Sequence, residues 1–151
     1  MDLYSEFFDI TSKLNNAGIK YSVVGGIALA FHDVPRFTRD IDILVLPEDV
    51  PRISVILKDS GYSESADPWT FKRVNLTLHR FAKIKGEEHI MIDILAGGDD
   101  RHKKIIEQSV SASSGKGNIN IAAREDLIWM KRIRNSDQDK VDIKNLKDDK
   151  D

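Results

Sequence analysis

Residues 38–46, TRDIDILVL, constrain this chain more than any other stretch. The aliphatic run predicts a strand that stops at Pro47, yet two acids are embedded in it. Side chains alternate faces along a strand, so Asp40 and Asp42 leave one side of the sheet while Ile41 and Ile43 point to the other. Two ionised carboxylates about 6–7 Å apart repel by ~2–3 kcal/mol at an effective dielectric near 20. An apolar strand gains nothing from that repulsion unless a cation fills the gap. Asp93 repeats the pattern in HIMIDIL, a single acid in a run that otherwise favours burial. Three carboxylates on neighbouring strands are hard oxygen ligands of the kind magnesium and manganese prefer, and one shared by two ions would make a two-metal site. Plainer readings stand beside this one. An Asp-x-Asp pair also marks solvated strand edges, and a lone strand-end acid commonly caps a neighbouring backbone group.

What precedes the pair sharpens it. Residues 21–24 read as a short buried strand that ends at Gly25-Gly26, after which Ile27 to Phe31 resume as a helix. Glycine at such a turn lets the backbone approach a ligand, although a tight turn with no ligand uses the same residues. No Gly-Lys-Ser/Thr follows, and no third glycine stands at the dinucleotide-binding offset, so neither familiar phosphate loop is present.

Elsewhere the pattern predicts a helix over 2–17, closed by Gly18, and another over 48–59, stopped by Ser60-Gly61. Residues 62–69 are a strand or a loop. Strands over 70–84 and 88–96 join in a hairpin around Lys85-Gly86-Glu87. A helix over 101–108, a polar loop over 109–117, a short strand or extended lead-in over 119–122 and helices over 123–134 and 139–147 follow, with Val34-Pro35 and Asn135-Ser136 as breaks. The order defines an α/β (α+β) domain over 1–147, a mixed sheet flanked by helices with further helices appended at the C-terminus, and a frayed tail at 148–151.

Composition narrows the partners. At 151 residues, with 40% apolar and 32% charged, the chain has the balance of one globular domain. A net charge of −2 advertises neither nucleic acid nor membrane, so RNA would need a local patch such as Lys103, Lys104, Arg132 and Arg134. With no cysteine, thiolate metal sites and cysteine nucleophiles are excluded, in keeping with a cytoplasmic protein. No apolar run approaches the ~20 residues of a membrane span, and MDLYSEFFDI lacks the basic-then-apolar form of a signal peptide.

Strand, Gly-Gly, short helix and Asp-Ile-Asp on a second strand, here VVGGIALAFHDVPRFTRDIDILV, resemble the polymerase-β-like nucleotidyltransferase superfamily, with 13 residues between Gly26 and Asp40. Asp93 in MIDIL stands where that superfamily carries its third acid. More narrowly, the chain is similar to minimal nucleotidyltransferases grouped with the abortive-infection (AbiEii-type) toxins of type IV toxin–antitoxin systems. That likeness rests on LIWMK, ending at Lys131, and DKVDI, containing Asp139 and Asp142. Two positions depart from the family: Gly26 replaces a usual serine, and Gln138 replaces an expected lysine or arginine.

The resemblance implies an enzyme that transfers a nucleoside monophosphate from a nucleoside triphosphate such as ATP to a hydroxyl of RNA, protein or a small molecule, releasing pyrophosphate. Asp40 and Asp42 would hold the Mg²⁺ or Mn²⁺ that grips the triphosphate. Asp93 would complete a second metal site and position or deprotonate the acceptor. Gly25 and Gly26 would cradle phosphates, with Arg36, Arg39 and Lys131 as cations in reach. A cognate antitoxin is an implied partner. Two other readings stay open: a catalytically weakened nucleotide sensor, favoured by the missing serine, and a metal-dependent phosphohydrolase. His89 shares the strand parity of Asp93, and Trp69 is a candidate to stack on a base.

Overall fold

The computed structural model describes residues 1–34, 37–114, 117–134 and 136–148. Helix α1 (Leu3–Asn16) begins where the Asp2 carboxylate accepts the Ser5 N–H at 2.9 Å and presents Phe7, Ile10 and Leu14 to the core. Strand β1 (Tyr21–Val24) is buried throughout and runs directly into helix α2 (Gly25–Phe31). Strand β2 (Asp40–Val45) alternates part-exposed acids with fully buried isoleucines before the chain enters a 3-10 turn and helix α3 (Val50–Asp59).

Strands β3 (Ser63–Glu64), β4 (Trp69–Phe71), β5 (Leu76–Lys85) and β6 (Glu88–Gly97) follow, then helix α4 (Asp100–Glu107). Strands β7 (Val110–Ser114) and β8 (Gly117–Ile121) lead to helices α5 (Arg124–Arg134) and α6 (Asp137–Asp148). The single sheet runs β3-β5-β6-β2-β1-β8-β7, with β4 added beside β5. It is mixed: β2–β6 and β1–β8 are parallel, and the other pairs are antiparallel.

Three expectations change. The strand expected over 70–84 is two strands, because Asn75 adopts a left-handed conformation (φ 51°) and breaks the run. The polar loop expected over 109–117 instead holds β7, which hydrogen-bonds to β8 at the sheet edge. Trp69 keeps the strand alternative of its strand-or-loop reading: it lies in β4 and stacks on Phe71 at 5.4 Å between ring centroids. Helix α2 ends at Phe31, so the break expected at Val34-Pro35 comes three residues late, and Pro35 lies outside the described residues. Asn135 and most of the expected tail (149–151) also lie outside them.

The sheet has two differently used faces. On one, Ile41, Ile43, Ile92 and Ile94 are fully buried within the main cluster, each contributing about 1.5–3 kcal/mol of burial. Helix α1 covers this face, since Lys83, of the same parity, donates to Glu6 at 2.8 Å. The opposite face carries the acids. Helix α4 packs over its far end, where the His102 ring lies against Gly97.

Candidate active site

Parallel pairing of β2 with β6 sets Asp42 directly beside Asp93, with Asp40 one alternation away on the same face. These two strands lie in the middle of the sheet, so the ladder that fixes them is hydrogen-bonded on both sides. The glycine turn meets the same point. Gly25 has φ +73°, and a Cβ built there would fall 2.1 Å from Asp42 Oδ2, so only glycine lets the carboxylate lie against the turn. A Cβ on Gly26 would meet Thr38 Cβ at 2.9 Å and Oγ1 at 3.0 Å. The space a serine would use at position 26 is therefore filled by Thr38, whose hydroxyl bonds the backbone of Asp40.

The electrostatics are those of an acid cluster short of counter-charge. Burial, then the charges of Asp93 and Asp40, push the Asp42 carboxyl up to about 7, against a smaller downward pull from Arg134 and Lys131. Burial and Asp93 also raise Asp40, opposed by Arg80 and His89. Neither Asp40 nor Asp42 accepts a side-chain hydrogen bond among the described residues. Asp93 differs: Arg80, its partner across β5–β6, donates from Nε to Oδ1 at 2.8 Å and from Nη2 to Oδ2 at 3.0 Å.

The other predicted cations are placed less directly. Lys131 is 7% exposed and donates to Asp142 Oδ2 at 3.0 Å, with Asp139 Oδ1 3.6 Å away. Arg134 grips Asp139 at 2.5 and 2.7 Å. Against the upward push of burial, those bonds and Ser136 hold the Asp139 carboxyl well below the usual carboxylate range. This network ties α6 to α5 beside the acids. Arg39 is exposed, its guanidinium 5.5 Å from the Phe37 ring centroid, and Arg36 lies outside the described residues.

Sequence reasoning missed Arg80. The signal was present: a two-residue Gly86-Glu87 turn pairs Lys85 with Glu88, and counting back along both strands sets residue 80 opposite 93.

The donor set suits a divalent ion, with two carboxylates that have no side-chain partner among the described residues and whose ionisation is disfavoured by burial and by their neighbours. Among the described residues no group of three or more His, Asp or Glu side chains is closed into a metal-holding cluster. Asp93 is turned to Arg80, which takes both of its oxygens.

A mixed sheet with these helices, and two C-terminal helices packed on each other, is the nucleotidyltransferase fold. The chain superposes on a Thermotoga maritima protein assigned as a nucleotidyltransferase with a TM-score of 0.63 at 16% identity, covering 87% of this chain and 86% of that one. It also superposes on the lincosamide antibiotic adenylyltransferase LnuA (TM-score 0.58, 19% identity, 95% of each chain). A third match is ANT(2'')-Ia, solved in complex with adenylyl-2''-tobramycin (TM-score 0.56, 15% identity, 94% of this chain and 85% of that one). At these identities the likeness is one of fold. No curated protein sequence matches the chain. The aminoglycoside-2''-adenylyltransferase family model matches residues 6–112, and the chain belongs to that family. No helix among the described residues is long and apolar enough to cross a membrane.

Proposed function

We propose that this chain is a nucleotidyltransferase that moves a nucleoside monophosphate from a nucleoside triphosphate to an acceptor hydroxyl. ATP is the donor suggested by the family's adenylyl chemistry. The observation that carries the reading is the register of Asp42 against Asp93, with Gly25 pressed onto the same carboxylate. Asp40, Asp42 and Asp93 would hold Mg²⁺ or Mn²⁺, which supplies Lewis-acid stabilisation of the phosphates. The acceptor oxygen bonds the α-phosphorus as the bond from that phosphorus to pyrophosphate breaks, and the hydroxyl proton leaves toward Asp93. The backbone N–H groups of the Gly25-Gly26 turn would cradle the phosphates. Lys131 and Arg134, each already paired, contribute positive potential at Asp42.

The test is incubation with each α-labelled triphosphate, magnesium and candidate acceptors: RNA, lysate protein and antibiotics. Label should pass to one acceptor class and stay behind with Asp42→Asn. Equal transfer by that variant overturns the metal-site assignment.

A second reading, a nucleotide sensor without turnover, is favoured by one observation: Arg80 holds both oxygens of Asp93. Magnesium-dependent triphosphate binding with no transfer to any acceptor decides for it. A toxin role with a cognate antitoxin would use the same transfer chemistry; its Lys131, Asp139 and Asp142 bind one another here and serve equally well to brace α6.

A further inference from the structure

A cavity of about 340 Å³ lies between the turn joining β4 to β5, α4 and α5, and three arginines line it: Arg73, Arg101 and Arg132. Arg101 is built into the wall. Its Nη2 donates at 3.0 Å to Asp126, which is 1% exposed and also accepts from Gln108, and its guanidinium lies 4.7 Å from the Trp129 ring centroid. Its Nε is buried with no hydrogen-bond partner among the described residues.

Arg73 and Arg132 are exposed, and neither side chain has an ion-pair or hydrogen-bond partner among the described residues. The one acid in the lining, Asp99, is already committed: it accepts from Asn75 at 2.8 Å and closes the capping box of α4 with His102. Three guanidiniums around one concavity, without a free counter-ion among the described residues, match a ligand that presents several anionic oxygens.

The place of the cavity is informative. His102, in its wall, lies against Gly97, which has the strand parity of Asp93, so the cavity sits on the acid face four residues further along β6. Helix α5 serves both sites, with Lys131 and Arg134 acting on Asp42 while Arg132 and Trp129 line the cavity. We propose that this cavity is a binding site for a phosphate-bearing ligand of about mononucleotide size. Its volume lies at the small-ligand end of the usual pocket range. Such a ligand has two sources, a free nucleotide or the terminal nucleotide of an RNA. Resting on the transfer reading above, the acceptor is then a phosphorylated molecule, and a polycationic aminoglycoside is disfavoured by the three arginines. The binding itself does not depend on that reading.

Titration of the full chain without divalent metal tests it, in a Trp69→Phe background that leaves Trp129 as the fluorescent reporter. Adenosine monophosphate and a short oligoribonucleotide should change its emission, with affinity falling steeply as salt rises. Arg73→Gln with Arg132→Gln should weaken both by about tenfold or more with melting unchanged, and Asp42→Asn should leave them unaltered. Tighter binding of the oligoribonucleotide identifies RNA as the source; equal or tighter binding of the mononucleotide identifies the free nucleotide. Absence of binding overturns the proposal, as does adenosine or an aminoglycoside binding as tightly as the monophosphate. So does a double substitution without effect, or loss of binding in Asp42→Asn. Binding as expected, with no label transferred to any acceptor, overturns the transfer reading alone.

Discussion

Arg80 stands across β5–β6 from Asp93 and takes both of its carboxylate oxygens, at 2.8 and 3.0 Å. The guanidinium also lowers the Asp40 carboxyl, against burial and the charge of Asp93. Replacing Arg80 with Gln should therefore raise the pKa of Asp40, with Lys giving a smaller rise. Carboxyl-carbon NMR titration of Asp40 reads this directly; a titration curve identical to wild type removes Arg80 from the electrostatics of the site.

Asp42 carries a pH dependence of definite sign. Its carboxyl, ordinarily near 3.8, is pushed up to about 7 by burial and then by Asp93 and Asp40. Above pH ~4 the unfolded chain has released a proton that the folded chain keeps, so stability falls as pH rises from about 4 to about 7 and levels beyond. Asp42→Asn should melt above wild type at pH 8, by about 1–3 kcal/mol with allowance for solvent at this part-open site, and the gap should close near pH 4. Thermal melts across that range check it. A gap independent of pH assigns the gain to something other than ionisation.

The Gly26–Thr38 contact predicts a coupled pair. Gly26→Ser places a Cβ 2.9 Å from Thr38 Cβ and should cost about 1–3 kcal/mol. Thr38→Gly removes the obstructing atoms, so the double variant should recover much of that loss. A double-mutant cycle by denaturant unfolding should show a coupling of about 1 kcal/mol or more. Additive effects mean the two side chains do not compete for the same space.

His102 gives a second pH dependence. Burial lowers its pKa below 6.5, opposed in part by Asp99, and Nδ1 accepts the Asp99 N–H at 3.3 Å in the capping box of α4. As pH falls below ~6.5 the unfolded chain takes up a proton that the folded chain resists, and stability is lost until the folded ring also titrates. This contribution opposes that of Asp42 over the same range, so His102→Gln, which keeps an acceptor at that position, should gain stability relative to wild type as pH falls from 7 to 5. Equal slopes for the two proteins remove His102 as the cause.

Much of this arrangement is written locally. The parity of Asp40 and Asp42, the burial of Ile41 and Ile43, and the Gly25 turn all follow from period-two alternation and a strand-to-helix junction. The parallel pairing that sets Asp42 beside Asp93 is different: their strands are separated by α3 and three other strands, and no local pattern specifies which partner β2 selects. Strand β7, VSASS, reads as a loop because an edge strand can stay polar and requires no apolar alternation. The break between β4 and β5 rests on one left-handed asparagine, which the surrounding β-type residues conceal. The arginine cavity was invisible because its three members come from positions 73, 101 and 132 and meet only in the fold.

Asp42 and Asp93 are spaced by the backbone ladder of two interior strands, whereas the turn between β4 and β5, the entry to α4 and the end of α5 wall the arginine cavity further along the same face. A change in those outer segments can remodel what approaches the carboxylates while leaving their separation untouched. On the transfer reading proposed above, that divides the chain into a fixed pair of carboxylates and a periphery free to change with the substrate.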